Sequence, residues 1–144
     1  MNLPVSWTGC AVDAPWEVVW ALLTDTWMWP CWGPSVTDVD CPARFIYPGA
    51  TGRVRTLIGV WLPFEIVTMH QGRFWNWRVA GVPATGHRVT PNLENKGCRV
   101  EFEIPFWAFP YALVCKMAAL RIKRLAEEGH GCGGTPIKRM EQDG

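Results

Sequence analysis

One stretch near the end of the chain, PFWAFPYALVCKMAALRIKRLAEE at residues 105–128, constrains the fold more than any other feature. Its apolar side chains recur at helical spacing, which predicts a long C-terminal helix. They form two adjacent rows, and the resulting face is wider than a surface helix needs, so a large element must cover it. The rows are Phe106, Pro110, Leu113, Met117 and Leu120, and beside them Trp107, Tyr111, Val114, Ala118 and Ile122.

The ends of this helix carry their own signals. Pro110 lacks a backbone donor, which predicts a loose first turn from Pro105 and a regular helix from Pro110. Basic residues in the last turns suit the negative end of the helix dipole. Gly129 follows them and is the residue type preferred as a C-cap.

Composition narrows the class of protein. The chain has 144 residues, 49% of them hydrophobic, and a net charge of +1, which predicts one domain with a sizeable core and gives no argument for nucleic acid or an anionic membrane. No apolar run approaches the ~20 residues of a membrane span. The N-terminus lacks the basic and apolar regions of a signal peptide, so a cytoplasmic location is expected.

Cysteine and tryptophan contents are the two unusual features of this composition. The six cysteines include no CxxC pair, which predicts reduced, mostly buried thiols and neither a metal site nor a cofactor. A disulfide between two of them is left open. The ten tryptophans suit both cores and ligand pockets, and core packing explains about six or seven of them.

The first third of the chain predicts a strand and two short helices. Weak alternation marks residues 5–12 as the first strand. Asp13 and Pro15 are helix-start signals for a helix over residues 15–24. Residues 26–32 form a second short helical piece that carries three tryptophans.

The middle of the chain predicts strands joined by turns rich in glycine, proline and asparagine, which is typical of an antiparallel meander. The predicted strands are residues 36–41, 52–60, 63–70, 73–80, 86–91 and 97–104. The predicted class is therefore α+β, with a curled antiparallel sheet of about seven strands wrapped around the C-terminal helix. Residues 1–129 form this domain, and residues 130–144 are predicted to be a flexible tail.

Several segments resemble the START-related (SRPBCC) superfamily, near its polyketide cyclase/dehydrase-like branch. The opening VDAPWEVVWALLTDTWMWPCWGPSV has the family's proline-started helix after the first strand, and FWNWRVAGVPATGHRV and GCRVEFEIP are similar to its middle and last strands. The helix motif, apolar-Trp-x-Leu/Leu-x-Asp, is supplied by Val19, Trp20, Leu22, Leu23 and Asp25, followed by Trp32-Gly33-Pro34.

This resemblance covers about residues 5–128 and implies a helix-grip fold. Members of the superfamily bind lipids, sterols, polyketides or plant metabolites, and some catalyse cyclisation. No family catalytic motif matches this chain residue by residue, so the resemblance implies no catalytic residues.

A curled sheet that grips a helix tends to leave a cavity between them, and strand parity predicts which side chains face it. The polar groups predicted inside are Thr56, Thr68, His70, His87 and Tyr111. His87 either acts as an acid or base near neutral pH or is hydrogen-bonded at a strand end. The predicted ligand-binding residues are Trp32, Phe64, Trp75, Trp77, His87, Phe102, Trp107 and Tyr111.

These features predict a domain that binds a small hydrophobic or aromatic molecule in the cavity. One alternative is an aromatase/cyclase-type enzyme that acts on a polyketide-like substrate there. The other is a protein-interaction module whose cavity is filled by tryptophan side chains. Whether the chain is an enzyme, which ligand it binds and its oligomeric state are left open by the sequence.

Overall fold

The computed structural model describes residues 5–129, and the predicted tail lies outside the described residues. A first strand is followed by two short helices, then by six strands joined by short connections, and finally by a long C-terminal helix. The elements are β1 (Val5–Val12), α1 (Trp16–Thr24), a 3-10 turn (Thr26–Met28), α2 (Trp29–Trp32), β2 (Val36–Asp40), β3 (Thr51–Thr56), β4 (Trp61–His70), β5 (Phe74–Val79), β6 (Val82–Pro91), β7 (Cys98–Pro105), an aromatic 3-10 segment (Phe106–Tyr111) and α3 (Ala112–Glu128).

The strands form one curled antiparallel sheet of seven strands in the order β1-β7-β6-β5-β4-β3-β2. Consecutive strands from β2 to β7 are neighbours, as the short turns predict, and β1 joins the far edge by pairing with β7. The sheet, the two short helices after β1 and the long C-terminal helix confirm the predicted α+β helix-grip fold.

The buried face of α3 differs from the predicted one. Small residues dominate it, whereas every member of the first predicted row is exposed. Of the second row, Ala118 and Ile122 are buried and Trp107 is exposed. The buried residues of α3 are Cys115, Ala118, Ala119, Ile122 and Leu125.

Small side chains let α3 lie close against β1. The Cys10 Sγ lies 3.4 Å from the Ala119 carbonyl oxygen, and Lys116 Nζ donates a hydrogen bond of 2.6 Å to the Gly9 carbonyl. Gly9 itself is required, because a Cβ there would lie 2.0 Å from the Val100 carbonyl oxygen of β7. The buried face of α3 is therefore the one whose small side chains allow close packing against β1, and not the one with the bulkiest apolar side chains.

Both predicted ends of the C-terminal helix are confirmed to within two residues. The regular helix begins at Ala112, just after Pro110, and the preceding residues form the aromatic 3-10 segment, in which Ala108 has non-helical angles of φ −103° and ψ 19°. Gly129 ends the helix in the left-handed region at φ 71°, and its N–H donates to the Leu125 carbonyl.

A bulge in β4 overturns one predicted strand face. The register between β4 and β5 shifts between Ile66 and Met69, and the Asn76 side-chain oxygen accepts the Thr68 N–H at 2.9 Å. Beyond the bulge Met69 packs against the core and His70 is exposed. The prediction that His70 faces inward is therefore wrong.

The described cysteines divide into two groups. Cys10, Cys41, Cys98 and Cys115 are free thiols, and burial raises the pKa of Cys98 to about 11 and that of Cys115 to about 12. Cys31 is disulfide-bonded, which is the possibility that the sequence leaves open. Cys132 lies outside the described residues.

Residues 5–129 contain neither a metal-binding cluster nor a membrane-spanning helix. No cluster of three or more His, Cys, Asp or Glu side chains there could hold a metal ion. In the same part of the chain, none of the helices combines the length and apolarity needed to span a membrane.

An ion pair fixes the connection between the N-terminal helices and the sheet. The buried Asp25 carboxylate accepts two-pronged hydrogen bonds from Arg44, with Nη2–Oδ2 at 2.9 Å and Nε–Oδ1 at 3.1 Å. Its Oδ1 also accepts the Trp27 N–H at 3.0 Å, and the Arg44 guanidinium lies 4.0 Å from the centre of the Trp27 ring. Such charge-assisted, shielded contacts are the stronger kind of ion pair.

We predict that Asp25→Asn lowers the free energy of unfolding by about 2–3 kcal/mol, because it leaves the Arg44 charge without its partner. Asp40→Asn is the matched control: its ion pair with Arg53 is 2.6 Å long but more than half exposed, so the loss should stay below ~0.5 kcal/mol. Urea unfolding monitored by tryptophan fluorescence measures both. Equal losses in the two variants would contradict the prediction.

Candidate ligand-binding site

The site starts from α2, which carries two tryptophans onto the concave face of the sheet. The Trp29 and Trp32 indole N–H groups donate to the Leu23 and Leu22 carbonyls at 2.9 and 2.8 Å. These carbonyls belong to the last turn of α1, where they have no partner within that helix. These hydrogen bonds fix both rings in position, and each indole N–H supplies a donor to a carbonyl of α1 that has no partner within the helix.

Around Trp29 the concave face is filled with aromatic rings. Trp29 stacks on Trp75 with ring centres 5.5 Å apart and an interplanar angle of 13°. Phe64 and Trp77 approach its ring at centre distances of 5.3 and 5.4 Å. These spacings are those of favourable aromatic pairs, so this part of the space between sheet and helix is packed core.

Two unfilled spaces adjoin this packing. An inner cavity of about 40 Å³ lies between α2, the sheet and α3. An outer groove of about 820 Å³ opens between the sheet and the aromatic 3-10 segment. The groove is lined by Ser35, Val36, Val54, Thr56, Leu57, Ile58, Val60, Leu62, Trp77, Val79, Ala84, Thr85, Trp107, Ala108, Pro110 and Tyr111.

The two spaces share part of their walls. Five residues line both of them, and two side-chain hydrogen bonds lie within that shared wall, one between the Ser35 and Tyr111 hydroxyls and one from the Trp77 indole N–H to Thr85 Oγ1. The shared residues are Ser35, Val36, Trp77, Thr85 and Tyr111. A ligand in the groove would therefore meet the inner cavity at this wall.

His87 belongs to the inner cavity and is fully hydrogen-bonded. The Trp77 indole N–H can only donate, so it gives its proton to Thr85 Oγ1 at 3.1 Å. The Thr85 hydroxyl then donates to His87 Nε2 at 3.2 Å, and His87 Nδ1–H donates to the Trp75 carbonyl at 3.3 Å. This direction of the chain fixes one neutral tautomer of the imidazole.

Burial keeps His87 neutral. Its ring stacks on Trp75 at a centre distance of 3.8 Å and meets Phe102 edge-on at 5.0 Å. Burial lowers the pKa of His87 to about 3, although its hydrogen bond to the Trp75 carbonyl acts in the opposite direction. An imidazole with that pKa is uncharged near neutral pH, which favours the interpretation of His87 as a hydrogen-bonded structural residue.

The groove itself carries hydroxyl groups and no charged side chain among its lining residues. Thr56 Oγ1 donates to the Val60 carbonyl at 3.1 Å, so its proton is used. Burial raises the pKa of Tyr111, and its phenol therefore stays protonated. The wall is apolar elsewhere, with Leu57 and Ile58 exposed at the mouth on the β3–β4 turn.

The structure distributes the predicted site residues over both spaces. Trp32, Trp75, His87 and Phe102 line the inner cavity only. Trp77 and Tyr111 line both spaces, and Trp107 lines the groove. Phe64 lines neither, because its ring is packed between Trp29 and Trp77.

Thr85 and Ser35 were missed by sequence reasoning. Strand β6 begins at Val82, whereas prediction started it at residue 86 because of the preceding Gly-Val-Pro turn signal. Extending the alternation of His87 and Val89 back by two positions would have placed Thr85 on the inner face. Ser35 follows α2 and carried no signal of its own.

Fold and site together define a helix-grip domain with an apolar groove beside its C-terminal helix. No protein-family model matches the chain, and no curated protein matches it. Solved structures do share its fold at low sequence identity, and at that level the likeness concerns the fold alone.

Three of these structures illustrate the likeness. The protein XoxI from Bacillus cereus has a TM-score of 0.67 at 12% identity, over 86% of this chain and 96% of that one. The Aha1 dimer from Colwellia psychrerythraea has a TM-score of 0.67 at 13% identity, over 90% and 100%. A Deinococcus radiodurans protein has a TM-score of 0.65 at 16% identity, over 88% and 99%.

We predict that His87 makes stability fall in mild acid. Its pKa is about 3 in the folded chain and ~6.5 when unfolded, so between these values the unfolded chain binds more protons. The free energy of unfolding should therefore decrease as pH falls below about 6.5, by up to ~1.4 kcal/mol per pH unit from this group. Urea unfolding between pH 7 and pH 5 measures the slope.

The matched variants are His87→Gln and His70→Gln. Glutamine can replace the two hydrogen bonds of His87 without titrating, so His87→Gln should flatten the slope. His70 is exposed, and its replacement should leave the slope as it is. A His87→Gln variant with the wild-type slope would contradict the prediction.

Proposed function

We propose that this protein binds a small hydrophobic or aromatic molecule in the outer groove. The observation that carries the proposal is a groove of about 820 Å³ with apolar walls and a few hydroxyl groups. This volume lies within the range of small-molecule sites, which are mostly apolar with a few polar groups that orient the ligand.

Two observations argue for binding rather than chemistry. The buried imidazole of His87 is neutral and fully hydrogen-bonded, so it offers no acid or base near neutral pH. The lining of the groove contains no carboxylate, cysteine or histidine. The aromatase/cyclase alternative would need such a group beside the ligand.

Membership of the START-related superfamily is part of this proposal, and so is the cytoplasmic location. The helix-grip fold and the motif from Val19 to Asp25 support the family. Four free thiols among the described cysteines are in keeping with a reducing compartment, whereas the disulfide at Cys31 is of the kind found in oxidising ones.

We predict that a neutral fluorescent probe such as N-phenyl-naphthylamine binds the groove with micromolar affinity, which corresponds to about −8 kcal/mol. Trp77→Ala should weaken binding by one or two orders of magnitude, because Trp77 lines the groove. Arg78→Ala on the exposed side of the same strand should change it little. Fluorescence titration measures all three proteins.

A second pair of variants separates loss of contact from loss of fold. Ala84→Trp places a large ring into the groove and should block the probe, whereas Thr90→Trp adds the same ring at an exposed position of the same strand. Equal binding by the two tryptophan variants would refute the groove as the site. No binding by the wild type would refute the proposed function.

One observation favours the interaction module as a second candidate function. Phe109, Leu113, Met117 and Leu120 form an exposed apolar row along the outer side of the 3-10 segment and α3, with Leu113 71% exposed. Contiguous exposed apolar patches of this kind mark protein interaction sites. A row along one helix is self-complementary when two copies pack antiparallel about a twofold axis, so we propose a second copy as the partner.

If this row mediates self-association, the sedimentation coefficient should rise with protein concentration, and Leu113→Glu should abolish the rise. Leu93→Glu is the control, because Leu93 is 98% exposed and lies on the β6–β7 turn, outside the apolar row. Sedimentation velocity over a hundredfold concentration range tests this. A concentration-independent monomer would refute the second candidate.

A further inference from the structure

We infer that the ligand of the outer groove is an uncharged molecule that offers one oxygen acceptor, a carbonyl or hydroxyl oxygen, to the Ser35–Tyr111 hydroxyl pair. This inference rests on the proposed function and specifies the chemical class of the ligand. It follows from three features of the groove: an unused hydroxyl proton, the saturation of its other hydroxyls and the absence of charged side chains from its lining.

The unused donor follows from counting protons. Ser35 and Tyr111 each carry one hydroxyl proton, and the two groups share one hydrogen bond. Among residues 5–129 one of the two protons therefore has no acceptor, and this pair lies in the wall common to the groove and the inner cavity. A half-buried donor without a partner costs free energy that a ligand acceptor would recover.

The other hydroxyls of the groove have already donated. Thr56 gives its proton to the Val60 carbonyl, and Thr85 gives its proton to His87 Nε2. The Trp77 indole N–H is used by Thr85. The Ser35–Tyr111 pair is thus the one place among the lining hydroxyls where a free O–H can meet a ligand.

The absence of charge sets the second part of the inference. No Lys, Arg, His, Asp or Glu lines the groove. A carboxylate or ammonium group drawn to its inner end would lose its hydration without gaining a counter-charge. A carbonyl or hydroxyl loses far less and gains the hydrogen bond.

The apolar mouth fixes the orientation. Leu57, Ile58 and Trp107 line the groove and are exposed, whereas the hydroxyl pair lies in the wall shared with the inner cavity. The ligand would therefore place its oxygen inward and its apolar body between the β3–β4 turn and the aromatic 3-10 segment. An amphiphile with an ionised head group would have to bind in the reverse orientation and leave the hydroxyl proton unpaired.

The test uses three naphthalenes substituted at the same ring position: acetylnaphthalene, ethylnaphthalene and naphthoate. The ratio of ketone affinity to hydrocarbon affinity should fall about 3- to 10-fold in the double variant Ser35→Ala/Tyr111→Phe, which removes both hydroxyls. Thr56→Val is the matched control, because it also removes a groove hydroxyl but one whose proton is already used, and the ratio should stay constant. Naphthoate should bind the wild type at least ~10-fold more weakly than the ketone.

A second measurement does not depend on the variants. Hydrogen bonding to the bound ketone should move its carbonyl stretch to lower wavenumber in the infrared spectrum relative to the ketone in hexane. The inference would be overturned if ethylnaphthalene binds, the ratio of ketone to hydrocarbon affinity is the same in the double variant as in the wild type, and the carbonyl stretch of the bound ketone does not shift. The proposed function would then remain intact. Naphthoate binding as tightly as the ketone would also overturn the inference, and failure of all three probes to bind would overturn the proposed function together with it.

Discussion

The close contact between α3 and β1 determines where everything else in this molecule can lie. Ala118, Ala119 and Cys115 give the helix a narrow buried face, so its backbone comes within reach of the Cys10 side chain. The Lys116 side chain in turn reaches the Gly9 carbonyl. A helix held that near one edge of a curled sheet cannot also cover the far strands. The concave face over β3 to β6 must be covered by something else, and it is covered in part by α2 and left in part as the outer groove.

Aromatic side chains fill most of the space between the concave face of the sheet and α2. α2 is only four residues long, yet it buries Trp29 and Trp32, and their indole donors are held by the last turn of α1. Together with Trp75 and Phe64 they fill what would otherwise be a large internal cavity, of which about 40 Å³ is left. Rings of this size remove more apolar surface from water than any other side chain, which accounts for many of the ten tryptophans.

Sequence reasoning succeeded where local signals and alternation agree and failed where two elements decide the outcome together. Strand β1 and the cap at Gly129 follow from short patterns, and both were predicted. The buried face of α3 depends on how near β1 can come, which the bulk of Leu113 or Met117 does not reveal. His70 was misplaced by a bulge whose stabilising contact, the Asn76 side chain, comes from the neighbouring strand.

The candidate site was predicted in part for the same reason. Trp77, Trp107 and Tyr111 follow from parity and bulk. Ser35 and Thr85 were identified only once the positions of α2 and β6 were known.

The position of the groove can be traced to Pro110. Because proline donates no hydrogen bond and its ring clashes with the preceding turn, the α-helix cannot extend back through it, and α3 begins at Ala112. The six residues before α3 instead form the aromatic 3-10 segment, which has no fully buried residue and bends at Ala108. The rings of this looser segment are not fully buried: Trp107 is exposed in the wall of the groove, and Tyr111 lies in the same wall while packing against the edge of the core. A continuous α-helix from β7 onward would instead set Trp107, Ala108, Pro110 and Tyr111 on a regular 3.6-residue period, without the bend at Ala108.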